Sequence, residues 1–266
     1  MTLRHDSVAS GGVRSASVVV VLASVVFVPS APLLLPALAG PQAIDTGPVR
    51  AATLAAVHDL ADTSTTWIAI GVADSATASR PGLGQDVPTA GSFARYGVDV
   101  AASLRRETAS GDSGRDLPLS MLIAGWLRAE TEVGTVEPVV MSPDATPAEC
   151  ARIGVDLGAR VDAADGRVGV LVVGDGAISL SAKAPGGGLR ASAVALQARI
   201  DTAISDADTA ALAALDADDC AAEGVSGRTP WQVAAQLCRD RPMVAHMHYA
   251  QAPFGVGYVV ATWTPR

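Results

Sequence analysis

A chain of 266 residues, 49% of them hydrophobic and 17% charged, is long enough to bury a sizeable core. A net charge of −8 with no Lys/Arg cluster excludes the electrostatic footprint of a nucleic-acid binder and argues against anionic membrane surfaces as partners. The three cysteines, Cys150, Cys220 and Cys238, are odd in number and share no CxxC spacing, which argues against a disulfide scaffold or zinc knuckle and favours a reducing compartment.

Residues 1–16 (MTLRHDSVASGGVRSA) have the polar, Gly/Ser-bearing composition of a flexible leader. The next stretch has two readings. Arg4 and Arg14, the apolar run Val18–Val28 and the triplet Ala37-Leu38-Ala39 fit a secretory signal, and the chain would then be an exported binding protein. Against this, Pro29, Pro32 and Pro36 crowd the place of a cleavage site, and the β-branched run "SVVVVLASVVFV" suits a buried strand. The strand over 18–28 is the expectation adopted, in a cytoplasmic chain that keeps residues 17–40. Beyond the first forty residues no uninterrupted apolar run approaches the ~20 residues of a membrane span.

"TGPVRAATLAAVHDLAD" predicts a helix with Pro48 in its first turn. Residues 67–73 read as a short buried strand and 75–91 (SATASRPGLGQDVPTAG) as a loop. "LPLSMLIAGWLRAE" is helical in flavour, and "VEPVVMSPDA" is a strand entering a turn. Thr146-Pro147-Ala148-Glu149 is a capping-box pattern that starts a helix. Residues 168–173 form the clearest buried strand, residues 190–216 read as strongly helical, and Thr229-Pro230 starts another helix. "MVAHMHYA" and "GVGYVVATW" close the chain as strands. Alternating strands and helices predict the α/β class, as one three-layer α/β/α domain over residues 17–266 with a mostly buried mixed sheet.

Few residues offer chemistry. His58 has Asp62 four residues on and reads as a solvent-facing helical histidine. His246 and His248, two apart in a strand, share one face and are the only pair able to ligate one metal together; strand histidines with no ligand are the plainer reading. "VVGDGAIS" is similar to a phosphate-binding turn but lacks the full GxGxxG and GxxxxGK[ST] patterns. Asp74 and Asp175 follow strands, where α/β folds place ligands, although a lone carboxylate there also serves as a cap or turn residue.

Taken in order, "VFVPSAPLLLPALAG", "WIAIGVAD", "VLVVGDGAIS" and "YAQAPFGVGYVVATW" resemble the catalytic (beta) subunit of class III extradiol ring-cleavage dioxygenases, in an Ala-rich branch, over nearly all of the chain after about residue 20. The resemblance implies that fold and, in active members, an Fe(II) held by two histidines and a glutamate, with a further acid–base histidine. At the matching positions this chain has Val28-Pro29-Ser30, a histidine-free turn at Asp74 and a histidine-free turn after Asp175, and no glutamate follows Glu223. Fe(II) oxygenases need a facial set of N/O ligands with open positions. The expectation is therefore a retained fold with a degenerate iron site, binding a small aromatic molecule or a protein partner. Pocket candidates are Ser30, Asp74 and Asp175; no cofactor is expected. The alternative is a metal-dependent, dioxygenase-type oxidoreductase using Fe(II) or another divalent metal rearranged around His246 and His248. A homo-oligomer stays open.

Overall fold

The computed structural model describes residues 22–40, 43–73, 82–83, 87–106 and 117–266. Every residue of β1 (Leu22–Val28) is buried, as a strand covered by helices on both faces requires. Residues 18–21 of the expected strand, and the leader, lie outside the described residues. After β1 come α1 (Pro36–Ala39), α2 (Ala43–Thr63), β2 (Thr66–Val72), β3 (Gly82–Leu83), a hairpin of β4 (Ala90–Ser92) and β5 (Ala101–Ser103), and α3 (Leu119–Ala129). Next are β6 (Thr135–Met141), α4 (Pro147–Asp162), β7 (Val168–Val173), α5 (Ala191–Ser205), α6 (Thr209–Ala213), α7 (Ala217–Ala222), α8 (Arg228–Cys238), β8 (Met243–Gln251) and β9 (Tyr258–Pro265).

The main sheet has the order β3-β6-β2-β7-β1-β9-β8. Its centre, β6-β2-β7-β1, is parallel, while β3, β9 and β8 join antiparallel. Side-chain alternation sends each strand's residues into two separate cores. Val25, Phe27, Val170 and Val172 pack with α4, α5 and α8, whereas Val26, Val28, Leu171 and Val173 pack with α2 and α3. The predicted α/β/α layering is what the chain adopts. Among the described residues no helix is long and apolar enough to cross a membrane.

Local departures have local causes. The expected helix over 190–216 is two helices, α5 and α6, because Asp208 turns back to accept from the Ala211 amide as the N-cap of α6, and Asp216 accepts from the Asp219 amide as the N-cap of the next helix, α7. Between α5 and α6, Ala207 takes φ 52°, which a helix cannot hold. Helix α2 begins before Pro48, which lies inside it. The carbonyl left without a Pro48 N–H donor is that of Ile44, a residue 86% exposed, so water can satisfy it. At Thr146 the capping box forms in full, with Glu149 accepting from the Thr146 amide at 2.7 Å.

Candidate functional site

At the end of β1 the chain crosses to α1 and α2 on one face of the sheet. At the end of the neighbouring β7 it crosses to α5 on the other. Adjacent parallel strands whose connections part to opposite faces leave a crevice beyond their carboxyl ends, the usual ligand position in an open α/β sheet. Ser30 and Asp175 each follow the carboxyl end of one of these two strands.

The two are joined directly. The Gly174 amide donates to the Val28 carbonyl at 3.0 Å, carrying the ladder one step past the strand ends. The Ser30 amide then donates to Asp175 Oδ1 at 2.7 Å. Asp175 Oδ2 and the Ser30 hydroxyl have no hydrogen-bond partner among the described residues. Burial pushes the Asp175 carboxyl up to about 7, against the opposing effect of the Ser30 hydrogen bond. The residue as a whole nevertheless remains partly exposed. A carboxyl raised into the neutral range can serve as donor or acceptor.

A second loop holds the first rigidly. Asp175 donates its amide to Ser226 Oγ at 3.0 Å, and its carbonyl accepts from the Gly227 amide at 2.9 Å. Gly174 and Gly227 touch so closely that a Cβ on Gly174 would lie 2.5 Å from the Gly227 Cα. On the other side, Gly176 donates to the Gly257 carbonyl and Gly257 donates to that of Ala177. The buried Gln197 amide accepts from the Ala177 amide at 2.9 Å and donates to Asp201 at 2.7 Å. Tyr258, buried at the start of β9, has its phenol pushed up by burial and by the Asp175 charge.

These bonds correct the reading of "VVGDGAIS" as similar to an anion-binding turn. Such a turn needs free amides. Here the amides of Gly174, Asp175, Gly176, Ala177 and Ile178 donate to Val28, Ser226, Gly257, Gln197 and Glu223 respectively. The turn is a closed structural element whose amides from Gly174 to Ile178 are all taken, leaving the Asp175 carboxyl as its outward polar group.

Asp74, the remaining pocket candidate, lies outside the described residues. His58 sits exposed on α2 with Nε2 3.1 Å from the Glu130 carbonyl, a surface contact. His246 and His248 lie on β8, their rings in edge-to-face contact with centroids 4.5 Å apart. His246 is exposed, while half-buried His248 has Nε2 2.8 Å from Thr262 Oγ1. Burial, then the neighbouring His246, pulls the His248 imidazole down, and Asp59 on α2 acts the other way. Strand β8 is three places from β7, about 14 Å at ~4.8 Å per strand. Asp175 therefore cannot complete a ligand set with these histidines.

The iron that the resemblance implies does not fit the donors that are described. Ser30 offers a neutral hydroxyl, and Asp175 offers one carboxyl that is already bonded and reluctant to ionise. Among the described residues no three or more His, Cys, Asp or Glu side chains gather. The three thiols are all buried, and burial pushes Cys220 up to about 11 and Cys238 to about 12, so they are unreactive. One further concavity, an open groove of about 400 Å³ between α6 and α8, is lined by Ala213, Ala235, Gln236 and Arg239.

Ser226, Gln197 and Tyr258 were not legible as site residues. The signal closest to them is the glycine in "VSGRTP", which the approach to Gly174 requires. Compared with known proteins, the sequence matches no family model and no curated protein.

Proposed function

We propose that this chain is an extradiol-dioxygenase-like domain that binds a small hydroxylated aromatic molecule in the crevice between β1 and β7, without iron-dependent ring cleavage. One observation carries the reading. Asp175 follows β7 at the switch point with Oδ1 fixed by the Ser30 amide, Oδ2 unpaired among the described residues and a carboxyl that burial pushes up to about 7. A phenolic hydroxyl donating to Oδ2 would stabilise the charged carboxylate, and an apolar ring would displace water from a site that already disfavours charge. The Ser30 hydroxyl supplies a second polar contact on the opposite lip. The reading keeps the cytoplasmic location expected from the sequence, because cleavage near Gly40 would discard β1, the strand that carries Ser30 into place.

The test is calorimetric titration of metal-free protein with catechol and substituted phenols at pH 6 and 8, on wild type and Asp175→Asn. Saturable binding, tighter at pH 8 and weakened at least tenfold in the variant, supports the proposal. Equal affinity for both proteins, or no binding by the wild type, refutes it.

A further inference from the structure

Strand β8 ends the sheet. Among the described residues it pairs with β9 on one side and with no strand on the other. The hydrogen bond from the Arg266 amide to the Pro242 carbonyl fixes the phase of the antiparallel ladder. Residues at the alternate positions Val244 and His246 turn their backbone groups toward Thr264 and Thr262 on β9. The N–H and C=O groups of Met243, Ala245 and Met247 therefore point out of the sheet edge.

Natural edges are usually blunted by brevity, by Lys or Pro, or by inward charges. The opposite edge, β3, has two residues. Strand β8 has nine, and Met243–Gln251 contains no Asp, Glu, Lys, Arg or Pro. A register shift between Met247 and Tyr249 bends the strand and confines any flat pairing surface to 243–247. Val244 is 48% exposed there, beside exposed His246.

We propose that this edge pairs antiparallel with the same strand of a second copy, joining two sheets across a two-fold axis at Ala245. The segment Met-Val-Ala-His-Met is self-complementary about that residue. Ala245 faces its own copy, Met243 faces Met247 of the second copy on the α5 side, and Val244 faces His246 of the second copy on the α2 side. Because 243, 245 and 247 are the outward-turned positions, this register forms about six backbone hydrogen bonds. Self-complementarity selects the partner, and charge the place. Each copy carries −8, so two copies repel over most of their surfaces, but not along an edge free of acidic residues. An interface this narrow is at the small end of specific contacts, so the dimer forms at micromolar concentrations and above.

Sedimentation velocity on the full chain from about 1 µM to 1 mM tests this. The wild type should pass from monomer to dimer across that range. Ala245→Pro removes an outward amide while leaving the β8–β9 bonds intact, and Val244→Lys places two cations near one another at the axis. Both should stay folded by circular dichroism and weaken the dimer at least tenfold. Should the proline variant fail to fold, the lysine variant alone decides, since it alters an exposed side chain. Hydrogen exchange at Ala245 and Met247 should slow as the dimer forms. A wild type that stays monomeric to 1 mM, with those amides open or covered by another part of the chain, overturns the proposal. So does a dimer that folded variants leave intact.

Discussion

Replacing Asp175 by Asn removes the titration at the crevice and keeps an oxygen for the Ser30 amide to bond. In an unfolded chain this carboxyl titrates near 3.8, and in the folded protein near 7. Between those values the folded state holds the proton more firmly, so Asp175 costs stability as pH rises through the window. The loss is complete above 7. A shift of about three units corresponds to roughly 4 kcal/mol in all, of which about 2.6 kcal/mol falls between pH 5 and 8. The residue as a whole remains partly exposed, so about 2 kcal/mol is the expectation for that interval. Urea unfolding of both proteins at pH 5, 6, 7 and 8 measures it, and the difference cancels every other titrating group. The Asn variant should gain on the wild type by about 2 kcal/mol from pH 5 to pH 8. A difference that stays within 0.5 kcal/mol, as an order-of-magnitude threshold, refutes the argument that burial holds this carboxyl near neutrality.

Other substitutions probe the frame around it. Gly174→Ala forces a Cβ against the Gly227 backbone and should cost roughly 3 kcal/mol, the upper end for overpacking, read as a lowered urea midpoint. Trp263→Phe removes the 2.7 Å indole bond to the buried Ile204 carbonyl and should cost about 1–3 kcal/mol by the same measurement. Deleting residues 1–40 removes β1 from between β7 and β9, and circular dichroism should show no cooperative melting. For the same reason mass spectrometry should find residues 17–40 retained, whereas a mature start at Gly40 would contradict the cytoplasmic reading. Catechols given Fe(II) should show no ring-cleavage absorbance; turnover that a chelator abolishes would restore the iron site.

The strands were legible because burial on both faces leaves an unbroken apolar run, as in Val168–Val173. The helices after Ser205 were less so. Their breaks depend on two aspartates in an alanine-rich run, where the same residue type serves a helix surface or a cap. Ser30 and Asp175 could each be placed after a strand from sequence alone, but their hydrogen bond spans 145 residues and exists only because β1 and β7 are neighbours. Ser226 and Gln197 enter through backbone approaches at Gly174, Gly176 and Gly257, which no local pattern announces. The proximity of His246 and His248 followed from strand periodicity, whereas their distance from Asp175 followed only from the strand order.

The most direct test of the central claim is amide-resolved NMR of metal-free protein titrated with catechol. The shifts should converge on Ser30, Gly174–Ala177, Ser226, Gly227 and Tyr258, around the ends of β1 and β7. Shifts confined to the groove between α6 and α8, near Ala213 and Arg239, or no saturable shifts at all, would contradict it.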